Sequence, residues 1–276
     1  MGVAVCPGAP FLIEGTADAI ARTVPDLGAA CRAALARLPV ADRMLLIGTG
    51  AAADEFGAAA GQTGAALATT AAWRMFPPGT VVRTSVTRGD TGAERTVILP
   101  GEPACEDPMA SPEQRGVPVS LPSVATLVGT NLLRWAPTVP PTTAVEVTRI
   151  AVAGAGEIFA DLTRELTLEG SDRVALLVIA DGAACHGANA PGRLDDRSGA
   201  FDEALADALA AGNPVALRTA CQNPDLPAEA LLSSVAPLRL LADLTFARAP
   251  DEAELLYSGA PFGVGYFVAS WRWVGA

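Results

Sequence analysis

Apolar positions in this chain fall into short runs broken by glycine, proline and acidic residues, and the spacing within the runs alternates between continuous and helical. Val3 to Cys6 is apolar at every position and is cut by Pro7 and Pro10, which predicts a buried strand opening into a loop. From Asp26 to Leu38 the residues Leu27, Cys31, Ala34 and Leu38 recur at helical spacing. Arg43 to Ile47 (RMLLI) is a second strand, ending at Gly48-Thr49-Gly50. Strand, helix, strand is the opening of an α/β sheet.

The next stretch, residues 51–79, is rich in Ala, Gly and Thr and ends at Pro77-Pro78-Gly79; Val81 to Val86 and Thr96 to Leu99 then read as strands. Pro100 to Pro118 carries Glu102, Glu106, Asp107, Glu113 and five prolines, the composition of an exposed loop with solvated acids. Pro122 to Trp135 has helical length, and Pro137 to Pro141 separates it from a more regular second half. There Val145 to Ala153 reads as a strand and Glu157 to Glu169 as a helix. Val174 to Ala180 (VALLVIA) is apolar on both faces, as expected of a strand at the centre of a helix-covered sheet. After a loop from Asp181 to Arg197 come a helix from Gly199 to Ala211, one or two more across Pro227 to Phe246, and strands at Ala253 to Tyr257 and Val264 to Trp273. With no internal repeat or low-complexity linker, the pattern predicts one α/β/α domain over residues 1–276.

Composition narrows the chemistry. Half the residues are hydrophobic but only 5% are aromatic, so alanine and glycine must supply much of the packing. The net charge of −11 works against binding to nucleic acid or an anionic membrane surface. The start MGVAVCPGAPF lacks a charged segment leading into a sustained apolar stretch, and no apolar run approaches the roughly 18 residues that span a bilayer, so a soluble cytoplasmic protein is expected. The five cysteines are odd in number, widely spaced and free of CxxC pairs, which predicts reduced thiols and no structural zinc. The chain has one histidine, His186, and no lysine. A two-histidine metal site within one chain, a GxxxxGK phosphate loop and a lysine Schiff base are thereby excluded.

Two strands end in glycine pairs, at Gly48-Thr49-Gly50 and at Gly154-Ala155-Gly156. Each resembles the start of a dinucleotide fingerprint, and the second is followed by a helix and then a strand ending in Asp181, where an acid could grip a ribose. Phe159 stands where the third glycine should be, however, and Glu157 would put negative charge where the phosphates should lie. Tight turns at strand ends are the alternative reading. His186 itself lies in the loop leaving the most apolar strand, where open α/β sheets bind ligands. It could act as a general acid or base with Asp181, Asp195 or Asp196 as orienting carboxylate, or be an exposed loop residue with Asp181 capping local amides. Cys185 could be a nucleophile with His186 as base, or a small buried hydrophobe.

The string ADGAACHGANAPGRLDD, Ala180 to Asp196, runs into the helix start Ala200-Phe201-Asp202-Glu203-Ala204-Leu205. Together with the opening Cys6-Pro7-Gly8-Ala9-Pro10-Phe11-Leu12 and the closing segment Leu256 to Ala269 (LYSGAPFGVGYFVA), it resembles the superfamily of class III extradiol ring-cleavage dioxygenases, the LigB-like proteins, in its alanine-rich bacterial branch. The residues between about 55 and 120 match no motif of that family. The resemblance implies a three-layer α/β/α sandwich on a mixed, mostly parallel sheet, with a site at the strand ends. Active members hold Fe(II) with two histidines and a glutamate, and a further histidine serves as acid/base. Carried over, the first histidine falls at Gly8 and the second at or next to Gly50, and the glutamate has no match. His186 corresponds to the acid/base histidine only with a one-residue insertion, since ungapped alignment places Cys185 or Ala184 there.

The resemblance therefore implies a homologue without the iron ligands and without an assigned cofactor. Either it is a divergent non-iron enzyme or ligand-binding protein, acting on a small and conceivably aromatic molecule, or it is a catalytically silent interaction protein. The candidate residues are His186 and Asp181 for proton transfer, and Gly8, Gly50, Tyr257 and Phe262 around the ligand. Tyr266 is a further candidate wall, with core packing of the closing strands as the alternative for all the aromatics. A homo-oligomer is one open assembly, and an obligate partner subunit, the other, could supply missing ligands in trans.

Overall fold

Eight strands hydrogen-bond into one mixed sheet in a computed structural model of the chain, which describes residues 1–13, 22–41, 43–49, 81–85, 94–99, 124–133, 145–152, 173–188, 190–222 and 235–274. The strands are β1 (Gly2–Cys6), β2 (Arg43–Thr49), β3 (Val81–Ser85), β4 (Glu94–Leu99), β5 (Val145–Val152), β6 (Val174–Ile179), β7 (Glu252–Gly259) and β8 (Tyr266–Arg272). The helices are α1 (Pro25–Ala36), α2 (Val124–Leu133), α3 (Ser198–Ala210), α4 (Pro214–Cys221) and α5 (Val235–Thr245). The spatial order of strands is β3-β4-β5-β2-β6-β1-β8-β7.

The four central strands β5, β2, β6 and β1 are mutually parallel. Antiparallel pairs flank them, β4 and β3 on one side and β8 and β7 on the other. A mostly parallel sheet is thus found at the centre and not at the flanks, where antiparallel pairings take over. The reason is local for β7 and β8, because the short connection 260–265 can only return the chain alongside itself.

Strand alternation sorts the apolar side chains onto two faces. Val3 and Val5 of β1, Leu45 and Ile47 of β2, and Leu176 and Val178 of β6 pack with Phe201, Leu205 and Leu209 of α3, Leu217 of α4 and Leu238 and Leu241 of α5. Ala4 and Cys6, Met44 and Leu46, and Ala175, Leu177 and Ile179 pack with Leu27, Cys31 and Leu35 of α1 and Val128 and Leu132 of α2. β6 is buried on both faces, which is why its sequence shows no polar alternation. The Trp271 indole N–H donates to the Leu209 carbonyl at 2.8 Å, fastening β8 to the end of α3.

Most predicted elements recur within a residue or two. The exception is α4, which the apolar pattern alone does not reveal. Asn213 caps it, accepting the Ala216 N–H at 3.1 Å, and Pro214 fills the first helical position, so the Asn-Pro pair was the available signal. The helix expected at Glu157 to Glu169, the loop from Pro100 to Pro118 and the glycine pair Gly154/Gly156 lie outside the described residues. Among the described residues, no helix is long and apolar enough to cross a membrane.

Candidate functional site

Beyond β6 the chain is zipped to the β7–β8 connection by backbone hydrogen bonds. The Gly182 N–H donates to Gly265 O at 2.6 Å, Gly265 N–H to Ala183 O at 2.9 Å, and His186 N–H to Gly263 O at 3.1 Å. Gly263 adopts φ +74°, a left-handed conformation that favours glycine, and this lets the connection turn back against Ala190. The two loops form one rim at the carboxyl ends of β1 and β6.

Into this rim α3 projects Asp202, which is 8% exposed. Its Oδ1 accepts the Ala183 N–H at 2.8 Å, and its Oδ2 meets His186 Nε2 at 2.6 Å. The carboxylate fits because Gly182 and Gly265 have no side chains: a Cβ on either would run into its oxygens. Burial raises the Asp202 carboxyl above the usual carboxylate range, and the Ala183 N–H and the imidazole pull against that rise. On the other side of the ring, His186 Nδ1 lies 3.4 Å from Ser198 Oγ, while the Ser198 hydroxyl donates to the Asp195 carbonyl at 2.7 Å.

The carboxylate on the imidazole is therefore Asp202, and none of Asp181, Asp195 and Asp196 takes that place. Asp181 instead accepts the Gly8 N–H on Oδ1 at 2.8 Å, tying the end of β6 to the loop after β1. It is also bridged through its backbone to Tyr266. Asp195 is held by Arg197, whose Nε and Nη2 donate to its two oxygens at 2.9 and 2.6 Å, and this drops its carboxyl to about 2. Cys185 is fully buried and burial raises its thiol, which removes it as a ready nucleophile.

Of the remaining candidates, Gly8 and Phe262 reach the rim and Gly50 lies outside the described residues. Phe262 is 38% exposed, with its ring edge-on to Phe11 at 5.4 Å, and Phe11 packs edge-on to Tyr266 at 5.9 Å. Phe11 and Tyr266 are buried, so core packing accounts for most of this cluster and Phe262 supplies its open edge. Tyr257 is half-buried on β7 and close enough to couple electrostatically to Tyr266. Burial raises both phenols, and the Asp181 charge pushes Tyr266 up further.

Asp202 and Ser198 are functional candidates that the loop motif around His186 does not point to, although one signal was present. Asp202 shares a helical stripe with Leu205 and Leu209, and an acid in a buried stripe must have a partner. No family model matches the chain, and no curated protein matches it in sequence.

Proposed function

We propose that this chain is a LigB-like three-layer α/β/α sandwich that works without the family's iron. It binds a small aromatic molecule at the rim formed by the carboxyl ends of β1 and β6, and His186 with Asp202 moves a proton there. The carrying observation is the 2.6 Å contact between His186 Nε2 and Asp202 Oδ2, which fixes the chain's only imidazole on the rim that also carries the exposed edge of Phe262. An ionised Asp202 accepts the Nε2 hydrogen, selects that tautomer and leaves Nδ1 as the working nitrogen.

The donor chemistry does not suit iron. Gly8 offers no side chain, its N–H is engaged by Asp181, and a Cβ there would already sit 3.0 Å from Asp181 Oδ2. The single imidazole is turned into Asp202. No group of three or more His, Cys, Asp or Glu side chains among the described residues could hold a metal ion.

A thermal-shift titration with catechol and simple phenols tests the reading. A ligand at about 100 times its dissociation constant adds about 2.7 kcal/mol, a readily measured rise in Tm. His186→Ala should abolish that rise, and no response to any phenol would sink the proposal. A second reading, a catalytically silent protein in which His186 is only a tie, is favoured by the oxygens facing both ring nitrogens. The same titration with NAD(P) tests the dinucleotide alternative at Gly154/Gly156.

A further inference from the structure

Ser198, His186 and Asp202 stand in line, with Ser198 Oγ 3.4 Å from Nδ1 and Asp202 Oδ2 2.6 Å from Nε2 of the same ring. The order is nucleophile, base, orienting carboxylate, with the two ring nitrogens exchanged relative to the usual serine hydrolase arrangement. Asp202 is itself fixed by the Ala183 N–H and enclosed by Gly182 and Gly265, so the ring it holds has little freedom to turn.

Ser198 is the first residue of α3, and no side chain caps that helix start. The Ser198 N–H is taken by Asp195 O and the Phe201 N–H by Arg197 O. The Gly199 and Ala200 N–H groups between them have no backbone acceptor outside the helix among the described residues. A Cβ on Gly199 would find open space, as would one on Gly187 next to the histidine. Ser198 itself is buried, 3% exposed, and lies next to the exposed Gly199 and Ala200, so the nucleophile, the base and two amide donors converge just beneath an open stretch of surface.

We propose that this line is an acyl-transfer site for small esters, with Ser198 as nucleophile. The proposal rests on His186 and Asp202 being a working proton-transfer pair, as above. At rest the hydroxyl donates to the Asp195 carbonyl, and rotation about Cβ–Oγ redirects its hydrogen to Nδ1, which lies 3.4 Å from the same oxygen. Ser198 Oγ then attacks the ester carbonyl carbon as its proton passes to Nδ1, and the developing oxyanion is met by the Gly199 and Ala200 amides. The bond to the leaving alcohol breaks and the imidazolium returns the proton to the departing oxygen. Water attacks the acyl-serine, gives its proton to Nδ1, and the acid leaves as Ser198 Oγ is reprotonated. Asp202 is a positioning residue, because it acts only through the ring.

The test uses the full chain with p-nitrophenyl acetate as substrate and phenylmethylsulfonyl fluoride as covalent probe. Mass spectrometry of the wild-type protein should find the sulfonyl group on the peptide carrying Ser198, a result independent of any variant's folding. Ser198→Ala should lower hydrolysis at least about 100-fold, and Asp202→Asn should lower kcat with little change in KM. An unlabelled Ser198 in the native protein, or hydrolysis unchanged in Ser198→Ala, overturns the proposal. A phenol-induced Tm rise alongside an unlabelled Ser198 removes the acyl-transfer site alone. Labelling at Ser198 without any phenol response upholds it and removes the aromatic ligand instead.

Discussion

Asp181 and Asp202 perform the same structural act at two places on one rim, and the difference between them separates scaffold from candidate chemistry. Each accepts a backbone N–H at 2.8 Å, Gly8 for Asp181 and Ala183 for Asp202, and so each pins a loop to the end of the parallel sheet. Asp202 adds the imidazole of His186 through its second oxygen, and it comes from a helix packed on the sheet. Asp181 adds its charge to the surroundings of the buried Tyr266 phenol. The carboxylate nearer to the histidine in sequence is thus part of the frame, and the one 16 residues away is its partner. Chain proximity is a poor guide to pairing within a loop, because a loop can turn neighbouring side chains apart while a helix delivers a distant one.

The largest expected effect tests that division directly. Asp202→Ala leaves the Ala183 N–H and the His186 ring without their acceptor in a nearly closed site, and breaking a buried pair of this kind costs about 3 kcal/mol. Urea denaturation measures it. Equal or greater loss in Asp181→Ala, for which about 1–2 kcal/mol is expected from the stranded Gly8 N–H, would reverse the ranking of the two acids.

The glycines beside each carboxylate sharpen the contrast. A Cβ on Gly265 collides with Asp202 Oδ2 and lies 3.1 Å from the Gly182 backbone, so neither neighbour can give way cheaply. Gly265→Ala should cost about 2–3 kcal/mol and disturb the His186 contact. A Cβ on Gly8 meets the end of the Asp181 side chain at 3.0 Å, a contact that a small rotation relieves, and Gly8→Ala should cost about 1 kcal/mol. A pair of denaturation curves decides it, and equal costs would mean that Asp202 is no more tightly enclosed than Asp181.

How much of this was legible in the sequence follows from what each feature depends on. β6 was readable because a strand buried on both faces must be apolar throughout, and VALLVI is. α1 was readable from the spacing of Leu27, Cys31 and Ala34, all of which the structure buries. The Asp202–His186 pair was not, because it requires α3 to cross beneath the loop after β6, an arrangement set by tertiary packing. Half of it could have been inferred, since Asp202 lies on the stripe of Leu205 and Leu209 and a buried acid needs compensation. The partner's identity could not. Phe11 escaped notice for a similar reason: its contact with Phe262 joins residues from opposite ends of the chain.

The smallest effect concerns Asp195, which lies on the same loop but is held by the exposed Arg197. Its carboxyl is depressed from 3.8 to about 2 by hydrogen bonds from the Arg197 side chain and backbone. A folded-state value below the unfolded one means the stabilisation is complete above the unfolded pKa and is lost as pH falls through about 2. Asp202 has the opposite sign: burial raises its carboxyl, so its contribution is greatest in acid and declines as pH rises through the folded value. Asp195→Asn should therefore lie slightly below wild type in Tm near neutral pH and converge with it towards pH 2, by a margin that shrinks further in high salt. Asp202→Asn should instead separate from wild type in a way that depends on pH in the other direction. Parallel Tm curves for Asp195→Asn and wild type across that range would mean that the arginine clasp does not set the titration of Asp195.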